Sequence, residues 1–428
     1  MGLKMKKKTQ TLKVLSLFSG CGGMDLGFEG DFTVLKKSIN PIIHPDWLNN
    51  PINKHWARLP KTVFKTVFAN DILQSARASW IPYFDKKGKN GSLFHSESIV
   101  DLVRKHSSGA TRVFPSVDLV TGGFPCQDFS VAGKRKGFNS HKAHHGGLLN
   151  GKEPSEENRG KLYMWMRAVV EIVRPKVFLA ENVKGLVSLS DAKKIIENDF
   201  GSIGDNGYLV VNAKVLRAQD YGVPQTRERV VFIGFRRDAL TRKAIEQLTS
   251  LSDDSCFNPY PQRTHGEINR DSLLLPFVKV KDAFVGLKEP ELSNDPSQKA
   301  YSRAKWYGKH CQGQSEVNAI GLGPTIRAEH HGNIEFRRLS KEHGGKNLKE
   351  IDMGLKERRL TVRECARIQT FPDDFAFTRS ASVLGSEFAL SPSDGYRVIG
   401  NAVPPLLAFN VAWRLQELWP KIFKKGSK

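Results

Sequence analysis

The feature that most constrains this chain is the rhythm of its first two thirds, where short apolar runs alternate with helical stretches. Residues 12–18 form an apolar strand run that breaks at Ser19, Gly20, Cys21, Gly22 and Gly23, after which residues 24–28 can open a helix. Residues 63–69 read as a second strand, closed by Asn70 and Asp71 and followed by a helix to Trp80. Residues 117–120 are a third, running through Thr121, Gly122 and Gly123 into Phe124, Pro125 and Cys126. Residues 162–173 are helical, and the strand 177–180 leads directly into Glu181 and Asn182. Residues 208–216 and 230–235 read as an antiparallel pair of further strands. Strand, helix, strand in that order predicts an α/β fold on a doubly wound, mostly parallel sheet.

Three stretches depart from the rhythm. Residues 31–60 are rich in Pro, Asn and His and read as an insertion between the first helix and the second strand. Residues 132–159 have almost no large apolar side chains and carry Lys134, Arg135, Lys136 and Lys142, which predicts a long basic loop. From 238 to 356 the pattern is irregular, polar and basic, as expected of a separate smaller domain. Regularity returns with a helix over 360–368 and a last helix over 403–419, with Pro404 and Pro405 in its first turn. The expected organisation is therefore a first domain part over 1–237, a smaller domain over 238–356, and a return to the first domain over 357–428.

Composition narrows the function classes. A chain of 428 residues that is 39% hydrophobic can bury a core, and 66 basic against 44 acidic residues leave a formal charge of +22. Such a surplus is the footprint of a polyanionic partner, of which nucleic acid is the commonest large one. No run approaches the ~18 apolar residues that span a bilayer. The five cysteines are scattered and form no CxxC pair, so neither a disulfide framework nor a zinc site is expected. His141, His144 and His145 lie in the glycine-containing basic loop without partner cysteines and read as solvated or near phosphate, as do His330, His331 and His343. The expectation is a monomer in a reducing cytoplasm, with no metal and no membrane.

In an open α/β sheet the ligand lies outside the carboxyl ends of the strands. The unusual residues of this chain fall there: the glycine turn after the first strand, Asp71 after the second, Cys126 after the third and Glu181 after the fourth. A glycine-rich turn joined to an acidic residue closing the next strand suits an adenosine-bearing cofactor, with the carboxylate accepting from ribose hydroxyls. A thiolate at one strand end facing a carboxylic acid from its neighbour is an arrangement for nucleophilic addition with proton transfer. Glu181 follows four apolar residues, so partial desolvation should raise its pKa toward that of a proton donor.

FSGCGG, GGFPCQDFS, ENV, QTRER at 225–229, RLTVRECARIQTFPDDF at 359–375 and GNAVPP at 400–405 occur in this order across nearly the whole chain. Together they resemble the ordered blocks of the DNA cytosine C5-methyltransferases. The resemblance implies a methyltransferase fold, S-adenosylmethionine as methyl donor, and duplex DNA as partner, read by the segment between QTRER and RLTVRE. It implies that Cys126 is the nucleophile, that Glu181 holds and protonates the base, and that Arg227 and Arg229 orient base and Glu181. Phe18, Gly20, Cys21, Asp71, Pro125, Leu162, Asn401 and Val403 would line the cofactor site, and Gln127, Ser130 and Thr325 would contact DNA. Two positions depart from the family pattern. Ile72 stands where an aromatic or large residue usually covers the adenine, and Ser98 where an Asp is expected. The implied activity is methyl transfer to C5 of a flipped cytosine in a specific sequence, in the manner of a restriction-modification enzyme. The rival readings are a tRNA cytosine C5-methyltransferase and a catalytically silent DNA-binding relative. Intact Cys126, Glu181, Arg227 and Arg229 speak against the second.

Overall fold

The computed structural model describes residues 10–85, 93–109, 111–125, 162–188, 191–268, 273–308, 313–328, 334–424 and 426. Cys126, Gln127, Ser130, His141, His144, His145, His330, His331 and the basic stretch 132–159 lie outside the described residues.

Among the described residues the central element is a seven-stranded sheet. Its strands are β1 (Leu12–Leu17), β2 (Phe64–Asn70), β3 (Phe94–His95), β4 (Leu119–Gly123), β5 (Val177–Val183), β6 (Tyr208–Arg217) and β7 (Glu228–Arg236), in the spatial order β3-β2-β1-β4-β5-β7-β6. The first five run parallel, and β7 is antiparallel to both β5 and β6. β1 and β5 are buried along nearly their whole length, as strands covered on both faces must be. Helices α1 (Gly23–Glu29), α2 (Gln74–Phe84), α3 (Ile99–Ser107), α4 (Leu162–Val173) and α5 (Ala192–Gly201) supply that cover. The doubly wound sheet expected from the sequence is present, with order reversing between β1 and β4, where such sheets bind ligands.

Beyond β7, helix α6 (Arg242–Thr249) opens the irregular region, and Leu240, Ala244 and Leu248 share the main core with Phe423. Short elements follow, and the chain returns through α7 (Val362–Ile368), α8 (Pro392–Asn401) and α9 (Pro405–Ile422). Three helix boundaries differ from the sequence reading, each for a local reason. α7 starts at Val362 because Thr361 caps it in a reciprocal box with Glu364. α9 starts at Pro405 because Pro404, preceding a proline, is held extended at φ −56° and ψ 125°. α2 continues past Trp80 through Pro82, whose missing N–H frees the Ala78 carbonyl; Arg379 Nη1 donates to that carbonyl at 3.0 Å.

α9 packs across α1, and the approach is so close that a Cβ on Gly27 would sit 2.4 Å from the Ala408 Cβ and 2.5 Å from the Pro405 carbonyl oxygen. We predict that Gly27→Ala destabilises the fold by about 1–3 kcal/mol despite the better helix propensity of alanine, because the two helices must part. Chemical denaturation of the two proteins checks it, and an unchanged or raised midpoint would contradict the packing argument.

Candidate active site

The strand ends β1, β2, β4 and β5 open onto one cavity of about 250 Å³. Its floor is the turn after β1. Phe18 and Gly20 both lie in the left-handed region, at φ 52° and 54°, so this turn bends sharply enough to expose its backbone to the cavity. Asp71, at the end of β2, braces the turn: Oδ2 accepts from the Gly20 N–H at 2.9 Å and Oδ1 from the Leu73 N–H at 2.9 Å. Burial pushes the Asp71 pKa up, against the opposing pull of the Leu73, Gly20 and Ile72 N–H groups. Each oxygen keeps a lone pair for a further donor.

The neighbouring wall is held by Asn70, whose Nδ2 donates to the carbonyls of His95 and Glu97, each at 2.8 Å. That fixes Ser98, which lines the cavity and caps α3 by accepting from the Val100 N–H at 3.2 Å. Ile72, 39% exposed, forms the rim beside it. Leu162 at the start of α4, Pro125 after β4, Asn401 at the end of α8 and Val403 between α8 and α9 complete the walls.

Glu181 faces the same cavity from β5, paired in register with Gly123. A Cβ on Gly123 would stand 2.9 Å from Glu181 Oε2, so glycine there leaves the carboxylate room. Arg229 Nε lies 2.6 Å from Glu181 Oε1, with both side chains nearly buried. Burial raises the Glu181 pKa above its ordinary value of 4.5, while Arg229, and more remotely Arg227, pull it down. The outcome is a carboxyl that can hold a proton but has a counter-charge when it does not. Asn182 beside it donates from Nδ2 to the Phe124 carbonyl at 3.1 Å, tying β5 to the segment from which residue 126 continues.

Of the expected site residues, Phe18, Gly20, Asp71, Ile72, Ser98, Pro125, Leu162, Glu181, Arg229, Asn401 and Val403 come together around this cavity. Three others are placed elsewhere. The Cys21 thiol is fully buried and points at the Val398 carbonyl 3.4 Å away, with its pKa driven far up by burial. Arg227 is fully buried and donates to the carbonyls of Ile326, Gly400 and Ala402 at 2.8–2.9 Å. Thr325 Oγ1 donates to the Thr226 carbonyl at 2.6 Å. The sequence reading overlooked Asn70 and Asn182 as side chains that hold the walls. Asn182 was visible inside ENV, whereas nothing about the spacing of Asn70 announces its two carbonyl partners. No group of three or more His, Cys, Asp or Glu able to hold a metal occurs among the described residues, and no helix there is long and apolar enough to cross a membrane.

A family model described as C-5 cytosine-specific DNA methylase matches residues 12–417. The Type II methyltransferase M.BsuRI of Bacillus subtilis is 32% identical, covering 96% of this chain and 80% of that one. The Type II methyltransferase M.BspRI of Lysinibacillus sphaericus is also 32% identical, covering 96% and 82%. The crystal structure of the S. pombe Dnmt2 methyltransferase superposes with a TM-score of 0.52 at 17% identity, covering 95% of this chain and 99% of that one, which shows a shared fold.

We predict that Arg229→Leu leaves Glu181 buried without its close counter-charge and raises its pKa further. Once pH passes the folded pKa of wild-type Glu181, the wild type releases this proton beside Arg229 while the folded variant retains it, so the stability deficit against wild type grows with pH. It should reach about 3 kcal/mol near pH 7 and shrink toward about pH 4. Denaturant titrations at the two pH values test this; a deficit independent of pH would mean the pair carries no charge.

Proposed function

The chain belongs to the C-5 cytosine-specific DNA methylase family, and from that footing we propose that it moves a methyl group from S-adenosylmethionine to C5 of a flipped-out cytosine within a specific duplex sequence. Its relatives are named Type II methyltransferases, which supports a protective role in restriction-modification. The observation that carries the reading is one cavity shared by a glycine turn braced by Asp71 and by the Glu181–Arg229 pair, with Pro125, the residue before Cys126, on its wall.

The cavity suits the cofactor by its chemistry. Asp71 offers free lone pairs to ribose hydroxyls, Ile72, Leu162 and Val403 offer apolar surface, and the turn at Phe18 and Gly20 with Cys21 behind it gives backbone close approach. Ser98, Pro125 and Asn401 add the remaining wall. When bound, the cofactor supplies a sulfonium methyl as electrophile.

Cytosine C5 is a poor nucleophile, and the residues of this chain correct that. The Cys126 thiolate adds to C6, forming a carbon–sulfur bond, while the protonated Glu181 donates to N3 so that the ring electrons collect at C5 as in an enamine. After the methyl is received, the C5 proton passes to water, the electrons of that bond break the carbon–sulfur bond and expel the thiolate, and the N3 proton returns to Glu181, restoring the ring. Arg229 orients Glu181 and takes up its charge when the proton is given away. Arg227 is a positioning residue, acting through the carbonyls it holds. None of these atoms is accessible inside a duplex, so the base must leave the stack at a cost of a few kcal/mol. Phosphate contacts, with Gln127, Ser130 and Thr325 among the candidates, would offset that cost. Residues 238–356 are assigned to target recognition, with 1–237 and 357–428 as the catalytic body, acting as a monomer in the cytoplasm.

Two outcomes are expected. On duplex DNA carrying 5-fluorocytosine at the target, reaction should stall at a detergent-stable adduct that needs S-adenosylmethionine and maps to Cys126, because fluorine cannot leave as a proton does. Cys126→Ala should lose both turnover and adduct while still binding DNA. Tritiated methyl transfer to tRNA instead of duplex DNA, or an adduct on another cysteine, would refute the proposal. Asp71→Ala should weaken cofactor binding by about 1.5–3 kcal/mol, the range for a charged hydrogen-bond partner, with DNA affinity nearly intact. Separate titrations of the two ligands decide that point.

A further inference from the structure

Among the described residues one aromatic side chain is conspicuously in solvent. Trp306 is 64% exposed, whereas the other six tryptophans are buried or half-buried. Leaving an indole in water forfeits most of the hydrophobic gain that so large a side chain offers, so a fold does not place one there for stability.

The backbone beneath it is held with unusual economy. Arg359, itself 1% exposed, donates to the carbonyls of Ala304 at 2.9 Å, Trp306 at 3.0 Å, Gly313 at 2.5 Å and Ile334, and its guanidinium lies 4.0 Å over the Phe336 ring. Upstream, the Ala300 carbonyl accepts from the Val362 N–H at 3.0 Å. Downstream, Tyr307 turns inward, stacking on His343 at 3.6 Å and donating its hydroxyl to Glu357 at 2.7 Å. Residues 300–307 are therefore pinned on both sides of a tryptophan that points out.

The charges flanking it differ from those nearby. Arg338, Arg358 and Arg363 are buried in ion pairs with Glu289, Glu350, Glu364 and Asp295. Arg303 and Lys305 are exposed, and neither has a carboxylate partner among the described residues. Arg303 lies over the Tyr301 ring at 4.3 Å. An outward indole beside two unneutralised cations that precede it in the chain, on a backbone that need not be ordered at binding, matches nucleic acid: the cations meet phosphates and the ring packs on base or sugar.

We propose that Trp306 is a DNA-contacting residue, packing against a base or sugar while Arg303 and Lys305 engage neighbouring phosphates, and that Arg359 is the positioning residue that holds this strip. The inference rests on the DNA-methylating reading above and assigns a residue within it.

Iodide quenching of intrinsic fluorescence tests it on the full chain, alone and saturated with a plasmid DNA that the protein methylates. Free wild type should show a readily quenched fraction that Trp306→Phe removes, and DNA should shield that fraction. Trp306→Ala should raise the KM for DNA by about tenfold or more and leave the KM for S-adenosylmethionine within about twofold. A fraction that stays quenchable in the saturated complex overturns the proposal, as does an unchanged KM for DNA or an equal rise in both KM values. Should Trp306→Ala not accumulate as folded protein, the quenching comparison with Trp306→Phe decides alone. Wild type that methylates no duplex would refute the underlying function instead, so the two failures are separable.

Discussion

A buried guanidinium holds the frame of the site. Arg227 is out of reach of water and donates to carbonyls at Ile326, Gly400 and Ala402, which belong to the irregular segment, to the last turn of α8 and to the link between α8 and α9. Taking such a charge out of water costs several kcal/mol, and only well-placed acceptors offset it. The arrangement is thus intolerant of displacement in any of the segments. Gln225, two residues earlier and equally buried, extends it: Oε1 accepts from the Ile326 N–H at 2.9 Å and Nε2 donates to Gln369 at 2.8 Å. Arg229, two residues later, reaches Glu181. One short run of chain therefore sets irregular segment, cavity wall and carboxylate relative to one another.

This explains which parts of the molecule were legible in the sequence. The sheet could be read because buried strands leave continuous apolar runs, and the site because its residues sit where those runs stop: Gly20 and Asp71 follow the ends of β1 and β2, and Glu181 lies near the end of β5, just after its apolar run. What holds residues 238–356 has no such period. Its order comes from single side chains meeting distant carbonyls, such as Arg359 with Ala304 and Ile334, or Asn40 Nδ2 with Thr264 at 2.9 Å and Leu273 at 2.7 Å. The insertion over 31–60 was opaque for the same reason. Its Trp47 packs against Phe409 and Trp413 of α9, and Phe32 against Phe409, contacts spanning most of the chain length. Cys21 turned away from the cavity because the left-handed residues on either side of it, Gly20 and Gly22, reverse the chain direction, which a motif does not display.

The charge surplus also needed the structure to interpret. Many arginines late in the chain are structural. Arg338, Arg358, Arg363 and Arg367 are buried and bound to carboxylates or carbonyls, as suits a planar group with five donors. Net charge alone could not separate these from the cations free to meet a polyanion. The distinction is between a guanidinium whose donors are consumed inside the fold and one, like that of Arg303, left at the surface.

Glu181 shows why burial and pairing must coexist at one carboxyl. Met24, Phe28, Leu179, Val231 and Leu407 form a small, mainly apolar pocket against Glu181 and Arg229, and the burial of the carboxyl there favours the neutral acid. Were that the only influence, the proton would be held too firmly to be given to a base. Arg229 supplies the opposing bias at 2.6 Å, stabilising the anion once the proton has gone. Burial and the arginine thus act on this carboxyl in opposite directions: opening it to water would favour the ionised form, and removing Arg229 the neutral one. Glu181 and Asp71 line a single cavity, so under the proposed function base and cofactor would meet inside it, each forming part of the wall that excludes water from the other.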